Sequence, residues 1–233
     1  MIPLACHRFD DGAQLASALA AAVARDLARG IAANGQALLA VSGGKTPLRF
    51  FQALSQQALA WANVVVSLVD ERWVPPTDVR SNEALVRANL LQGPAAFARF
   101  VSLYTAAAAT PEAGASTIAA SIARLGLPLD ALVLGMGEDG HTASFFPGGD
   151  HLAAAIDPDT NAVVLPMRAP GAGEPRITLT LPVILASRAL YLHIEGERKR
   201  EVLDAARTDA NTAYPIAAVL RNARVPVQVY WCA

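Results

Sequence analysis

One stretch of the chain gathers residues able to do chemistry: Leu132-Val133-Leu134-Gly135-Met136-Gly137-Glu138-Asp139-Gly140-His141-Thr142-Ala143-Ser144-Phe145-Phe146-Pro147. It starts as an apolar run, in the manner of a buried strand, then breaks into glycines, two acids and a histidine. Open α/β sheets present their chemistry at such strand ends. An imidazole exchanges protons near neutral pH. Glu138 and Asp139 lie close enough in sequence to set its tautomer. His141 is therefore the candidate base, and His7, His151 and His193 have no comparable setting. Gly135 to Gly140 also matches G-x-G-x-x-G, but three features disfavour a dinucleotide site. Pro147-Gly148-Gly149 cut short any helix after Gly140, the motif lies mid-chain, and Asp159, at a ribose-contact spacing, sits in the turn Asp157-Pro158-Asp159. No spacing typical of metal ligands occurs, so no metal is expected.

Three further groups suit an anionic ligand. Ser42-Gly43-Gly44-Lys45-Thr46-Pro47 stands between an apolar run and a helix-like segment. Its glycines let a ligand approach the backbone, and a helix start offers unpaired N–H groups and partial positive charge. A phosphate suits that geometry; so does an ordinary capped turn, and the residues alone do not choose. The glycine–lysine spacing is not that of a Walker loop. Asp70-Glu71-Arg72 closes another apolar run. Arg72 offers a guanidinium fork to an anion, with the carboxylates orienting it or taking sugar hydroxyls; a solvated charge run is the plain alternative. Arg176 precedes a strand-like stretch. Lys199 falls in a helix's first turn, where a nearby phosphate would offset an unfavourable charge–dipole contact. Both also read as surface charges.

The elements that must position these residues alternate in type. Helices are expected over Ala13–Ala33, Pro47–Leu54, Ser81–Leu90, Pro111–Leu125, Gly196–Ala206 and Pro215–Arg221, with a turn or two of helix at Leu181–Ala186. Strands are expected at Ala37–Val41, Val64–Val69, Val101–Tyr104, Leu129–Leu134, Ala162–Pro166, Ala189–Ile194 and Val225–Trp231, with order resuming at Arg176–Thr180. Residues 70 to 76 read as a loop. Residues 147 to 175, rich in Gly, Pro and Asp, read as the most loop-like region, able to cover a site. Such alternation predicts an α/β fold, a Rossmann-like three-layer αβα sandwich with a mostly parallel sheet. No repeat or clear linker divides the chain, so residues 1–233 are expected to form a single domain.

The bulk properties narrow the partners. Apolar residues make up 53% of 233, enough for a large core, and the net charge is −1 with scattered basic residues. That gives no electrostatic case for nucleic acid or an anionic membrane. The two cysteines, Cys6 and Cys232, read as free thiols. The start, from Met1 to Cys6, lacks the pattern of a secretory signal, and no apolar run is long enough to span a bilayer. A cytoplasmic protein acting on a small molecule is expected.

Taken together and in order, Ser42–Pro47, Asp70–Pro75 with Ser81-Asn82, Leu134–Pro147 and Arg176–Thr180 resemble the 6-phosphogluconolactonases, within the family they share with glucosamine-6-phosphate deaminases. The resemblance spans nearly the whole chain. It implies hydrolysis of 6-phospho-D-glucono-1,5-lactone, a step of the oxidative pentose phosphate pathway, without metal or organic cofactor. The implied catalytic residues are His141, Asp139 and Arg72. The implied substrate and phosphate contacts are Ser42, Gly43, Gly44, Lys45, Thr46, Asp70, Asn82, Gly137, Arg176 and Lys199. Backbone N–H groups of the Gly137–Gly140 turn, or Arg72, would meet charge developing on the carbonyl oxygen. The partner would be a sugar phosphate lactone, the protein a monomer or homodimer. Family deaminases carry a Glu where this chain has Phe146, and an apolar ring cannot transfer the ring-opening proton. Sugar-phosphate-sensing repressors place a helix-turn-helix before a related domain; this chain begins directly with the fold.

Overall fold

The computed structural model describes residues 4–208 and 213–233; residues 1–3, part of the stretch read as lacking a secretory signal, lie outside them. Among the described residues ten strands follow in chain order: β1 (Ala5–Phe9), β2 (Ala37–Val41), β3 (Val64–Leu68), β4 (Asp70–Arg72), β5 (Arg99–Phe100), β6 (Ala131–Leu134), β7 (Val164–Met167), β8 (Arg176–Leu179), β9 (Leu190–Glu195) and β10 (Val227–Cys232). The helices are α1 (Gly12–Asn34), α2 (Leu48–Ser55), α3 (Asn82–Asn89), α4 (Pro111–Ala123), α5 (Leu152–Ala155), α6 (Leu181–Leu185), α7 (Glu197–Ala206) and α8 (Ile216–Asn222). Seven strands form one sheet in the order β1-β10-β9-β6-β2-β3-β5, and every pairing in it is parallel. Helices flank this sheet, as the alternation predicts.

The central strands β2, β3 and β6 bury every residue, so they read as unbroken apolar runs rather than alternating ones. Helix α1 starts at Asp11, whose Oδ1 accepts from Ala13 N and Gln14 N, both 2.8 Å away. It stops at Gly35, which takes the left-handed conformation (φ +73°) and donates to Ile31 O at 2.8 Å.

Strand order reverses between β2 and β6. The chain leaves β2 through α2 to reach β3 on one side, whereas β6 is followed by β9 and β10 on the other. In open α/β sheets a ligand crevice lies outside the strand ends at such a switch point. The two ends are joined there: Ser42 N donates to Val133 O (3.0 Å) and Gly135 N donates to Ser42 Oγ (3.0 Å).

A second sheet is the main departure from expectation. It has three antiparallel strands in the order β4-β8-β7. Val69 links the sheets, donating to Val41 O (3.0 Å) and accepting from Leu179 N (2.8 Å). The start of the expected loop at residues 70 to 76 is thus strand β4. Its three charged residues carry no apolar pattern, and pairing with β8 alone makes it a strand. Residues 101 to 104 are not a strand either. The pairing falls on β5, and after Val101 N donates to Val66 O (2.9 Å) the chain turns away with Leu103 buried. Strand β7 lies at the sheet's edge, which tolerates Pro166. Edge strand β1 and the short α5 had no readable signal.

Candidate functional site

The turn after β2 is shaped by what packs on it. A Cβ at Gly43 would fall 1.9 Å from Asn82 Oδ1, so only glycine fits there. Asn82 is held in turn, its Nδ2 donating to Asp70 O at 2.9 Å. Helix α2 begins at Leu48, one residue later than expected, with Pro47 as its cap residue and no side-chain cap bond among the described residues. The alternative of an ordinary capped turn therefore does not describe this helix start, which lies on the wall of a cavity. Lys199 reaches this end from α7, its Nζ 3.4 Å from Thr46 Oγ1.

The turn after β6 holds His141, the candidate base of the sequence. His141 Nδ1 stands 2.6 Å from Asp139 Oδ1, which also accepts from His141 N at 3.1 Å. A carboxylate only accepts, so Nδ1 carries a hydrogen, and in the neutral ring that tautomer puts the lone pair on Nε2. Gly137 makes room: a Cβ there would lie 2.3 Å from His141 Nδ1 and 2.5 Å from Asp139 Oδ1. The Phe146 ring stacks on the imidazole, with centroids 4.4 Å apart and planes 27° apart. Between them the chain is knotted. Thr142 Oγ1 donates to Gly135 O (2.7 Å), and Ser144 Oγ donates to the buried Asp70 Oδ2 (2.6 Å). These anchors hold Ala143 at φ +48°, a left-handed conformation that costs energy for a residue with a Cβ. Gly137 N donates to His141 O and Gly140 N to Gly137 O, so the turn has already committed two of the N–H groups expected to meet a carbonyl oxygen.

The second sheet brings in the arginines. Arg72 and Arg176 are opposite each other in the β4–β8 register. Like charges so placed repel unless an anion lies between or beside them. Asp70 serves Arg176, with Nη1–Oδ2 at 3.5 Å, rather than Arg72 as the sequence suggested. Arg176 Nη2 also donates to Ala172 O (2.7 Å), and its guanidinium carbon lies 5.2 Å over the Phe146 ring. Burial holds the Arg176 pKa below its ordinary value, against the pull of Asp70. Arg72 donates through Nη1 to Arg80 O. The Nε atoms of both arginines are buried without a hydrogen-bond partner among the described residues. Glu71 does not orient Arg72's head group. Its carboxylate accepts from Ser81 Oγ and from the N–H groups of Arg72, Asn82 and Glu83, at 2.7 to 2.9 Å. Burial raises its pKa and these donors lower it. Its work is to anchor the start of α3, and with it Asn82.

All these parts meet in one cavity of about 420 Å³. Its wall includes Ser42, Gly43, Gly44, Lys45 and Thr46 from one turn, and Gly137 and His141 from the other. Asp70, Arg72, Asn82, Arg176 and Lys199 complete the set named from the sequence, while Asp139 stands behind His141. Of the loop-like region between residues 147 and 175, only Gly171 contributes. The wall also includes residues outside that set, among them Phe50, Phe51, Met136 and Phe146, the last noted from the sequence only as standing where the deaminases carry Glu. His193, given no site role from the sequence, lines it too, at the same edge of the sheet near the end of β9, its Nε2 3.1 Å from Glu195 Oε1. The signal for it lay in its place at the end of an apolar run. Among the described residues no three His, Cys, Asp or Glu side chains are grouped to hold a metal ion, and no helix is long and apolar enough to cross a membrane.

Comparison with known proteins gives a consistent result. Residues 10–231 match the family model of glucosamine-6-phosphate isomerases/6-phosphogluconolactonase. A 6-phosphogluconolactonase of Rhizobium meliloti is 54% identical over 226 residues, covering 97% of both chains. One from Pseudomonas aeruginosa is 45% identical, covering 94% of this chain and 91% of its own. The crystal structure of a 6-phosphogluconolactonase from Shewanella baltica superposes with a TM-score of 0.95 at 42% identity, covering 99% of this chain and 98% of its own.

Proposed function

Since the chain belongs to the glucosamine-6-phosphate isomerase/6-phosphogluconolactonase family, we propose that it hydrolyses 6-phospho-D-glucono-1,5-lactone to 6-phospho-D-gluconate. The carrying observation is that His141, paired through Nδ1 with Asp139, and a glycine turn approached by Lys199 line the same cavity.

The phosphate binds at the Gly43-Gly44 turn, between Thr46, Lys199 and the open start of α2, with Lys45 and Arg72 adding charge. Asn82 and Asp70 hold the turn and Arg176 in place. His141 Nε2 then removes a proton from a water attacking C1. Asp139 keeps the ring in the right tautomer and stabilises the imidazolium. The charge that forms on the carbonyl oxygen is met by a guanidinium, because the nearby turn has committed two of its N–H groups internally. The tetrahedral intermediate expels the ring oxygen, which takes the proton from His141 and becomes a hydroxyl, leaving a carboxylic acid that ionises. This route needs no metal. Phe146 stands where a deaminase would need a proton-transferring side chain, which favours the lactonase over its relative. We further take residues 1–233 as one domain, working in the cytoplasm on a free small molecule, as a monomer or homodimer and without nucleic acid.

The test is a coupled assay on freshly generated lactone, read against spontaneous hydrolysis, beside glucosamine 6-phosphate with ammonia detection. Lactone turnover without ammonia release is expected. Ammonia release, or tight sugar phosphate binding without turnover of either, contradicts the proposal.

A further inference from the structure

Phe146 touches His141, the proposed base, and the guanidinium of Arg176 on the same cavity wall. Its ring stacks on His141 at 4.4 Å, and Arg176 lies over the same ring at 5.2 Å. It is 4% exposed and lines the cavity. Each of the two groups also pairs with a carboxylate: His141 with Asp139, Arg176 with Asp70. Asp70 also accepts from Ser144, two residues before Phe146. The contacts therefore run without a break from Asp70 through Arg176, Phe146 and His141 to Asp139.

A hydrogen bond at Nδ1 alone leaves the imidazole free to rock about that bond. A flat face against the ring removes this freedom, and one aromatic ring serving both groups fixes their separation. Aromatic pairs and cation–ring contacts are individually weak, enough to bias an orientation though not to hold a fold. We propose that Phe146 is a positioning residue: it sets the angle of His141 and its distance from Arg176, so that Nε2 and the guanidinium address the same carbonyl carbon and oxygen. This rests on the lactonase reading and on His141 as its base.

The experiment compares Phe146→Leu with Phe146→Tyr, each with and without His141→Ala. Leucine keeps an apolar side chain but has no flat face; tyrosine keeps the face. Phe146→Leu is expected to lower kcat about 10- to 100-fold, the scale of a small misplacement of a reacting group, with KM little changed. Phe146→Tyr should restore most of the rate. In the His141→Ala background Phe146→Leu should cost nothing more, because the group it aims is gone. Phe146→Met, flexible enough to fill the space, carries the comparison if the leucine variant does not fold. A full rate in the non-aromatic variant, or an equal loss with and without His141, overturns the proposal. A fully active His141→Ala protein is a different result: it removes the base itself, and the positioning role goes with it.

Discussion

At the scale of single residues, the site depends on gaps as much as on groups. Gly137 contributes no chemistry of its own, yet a Cβ there would collide with His141 Nδ1 and Asp139 Oδ1. Gly137→Ala should therefore fold but lose kcat, because the base and its carboxylate must separate. Unchanged turnover in that variant would mean that the pair is not needed as seen. Arg72 sits on the cavity wall with an unpartnered Nε. Arg72→Ala should raise KM more for phosphorylated than for unphosphorylated lactone. Equal rises would take the phosphate away from Arg72. The residues that line the cavity were largely legible, since a histidine, a glycine turn and an arginine after apolar runs carry their chemistry in their types. His193 was not, and Phe146 was legible only as the place of the deaminase Glu, not as a ring against His141. An aromatic or a histidine in an apolar setting reads as core until neighbouring strands show that it faces a cavity.

At the scale of elements, the small antiparallel sheet aims Arg72 and Arg176, and a carboxylate outside α3 holds Asn82. Glu71→Gln puts an amide where four donors converge, leaving some unsatisfied. A loss of about 1 to 3 kcal/mol is expected in chemical denaturation; an unchanged midpoint would contradict the anchoring role. Another tie joins α4 to the chain after β7. Arg168 pairs with Glu112, and its guanidinium holds that carboxyl at about 2, below the ordinary carboxylate value. A depressed folded value gives stability that is present above the unfolded pKa and lost as pH falls through the folded one. The melting advantage of the wild type over Glu112→Gln should thus be full above about pH 4.5 and vanish toward pH 2. An advantage that grows in acid would reverse the assignment. The central parallel strands could be read because both faces are covered and their sequence is apolar throughout. Strands β4 and β5 could not, because their pairing is set by the sheet they meet and not by any local pattern. Edge strand β1 is partly exposed, which weakened its signal.

At the scale of the whole molecule, one topological fact places the cavity. The order β1-β10-β9-β6-β2-β3-β5 reverses between β2 and β6, and the two motifs, some 90 residues apart in sequence, follow those adjacent strands. The same sheet pairs β1 with β10 without joining the cysteines. Cys6 in β1 is opposite Val229, three residues before Cys232 in β10, an offset of roughly 10 Å along the strands. A disulfide cannot span that distance. Two thiols should titrate after denaturation, but only Cys6 readily in the native protein, because Cys232 is buried. Fewer than two would contradict the register.

The central claim is that His141 takes the proton from water at a sugar lactone. Its most direct measurement is kcat of His141→Ala on freshly generated 6-phosphogluconolactone, with 6-phosphogluconate binding measured on the same sample. Binding should persist while kcat falls about 10²- to 10⁴-fold, the range for loss of a general base. Near-full turnover, with binding intact, would contradict the account.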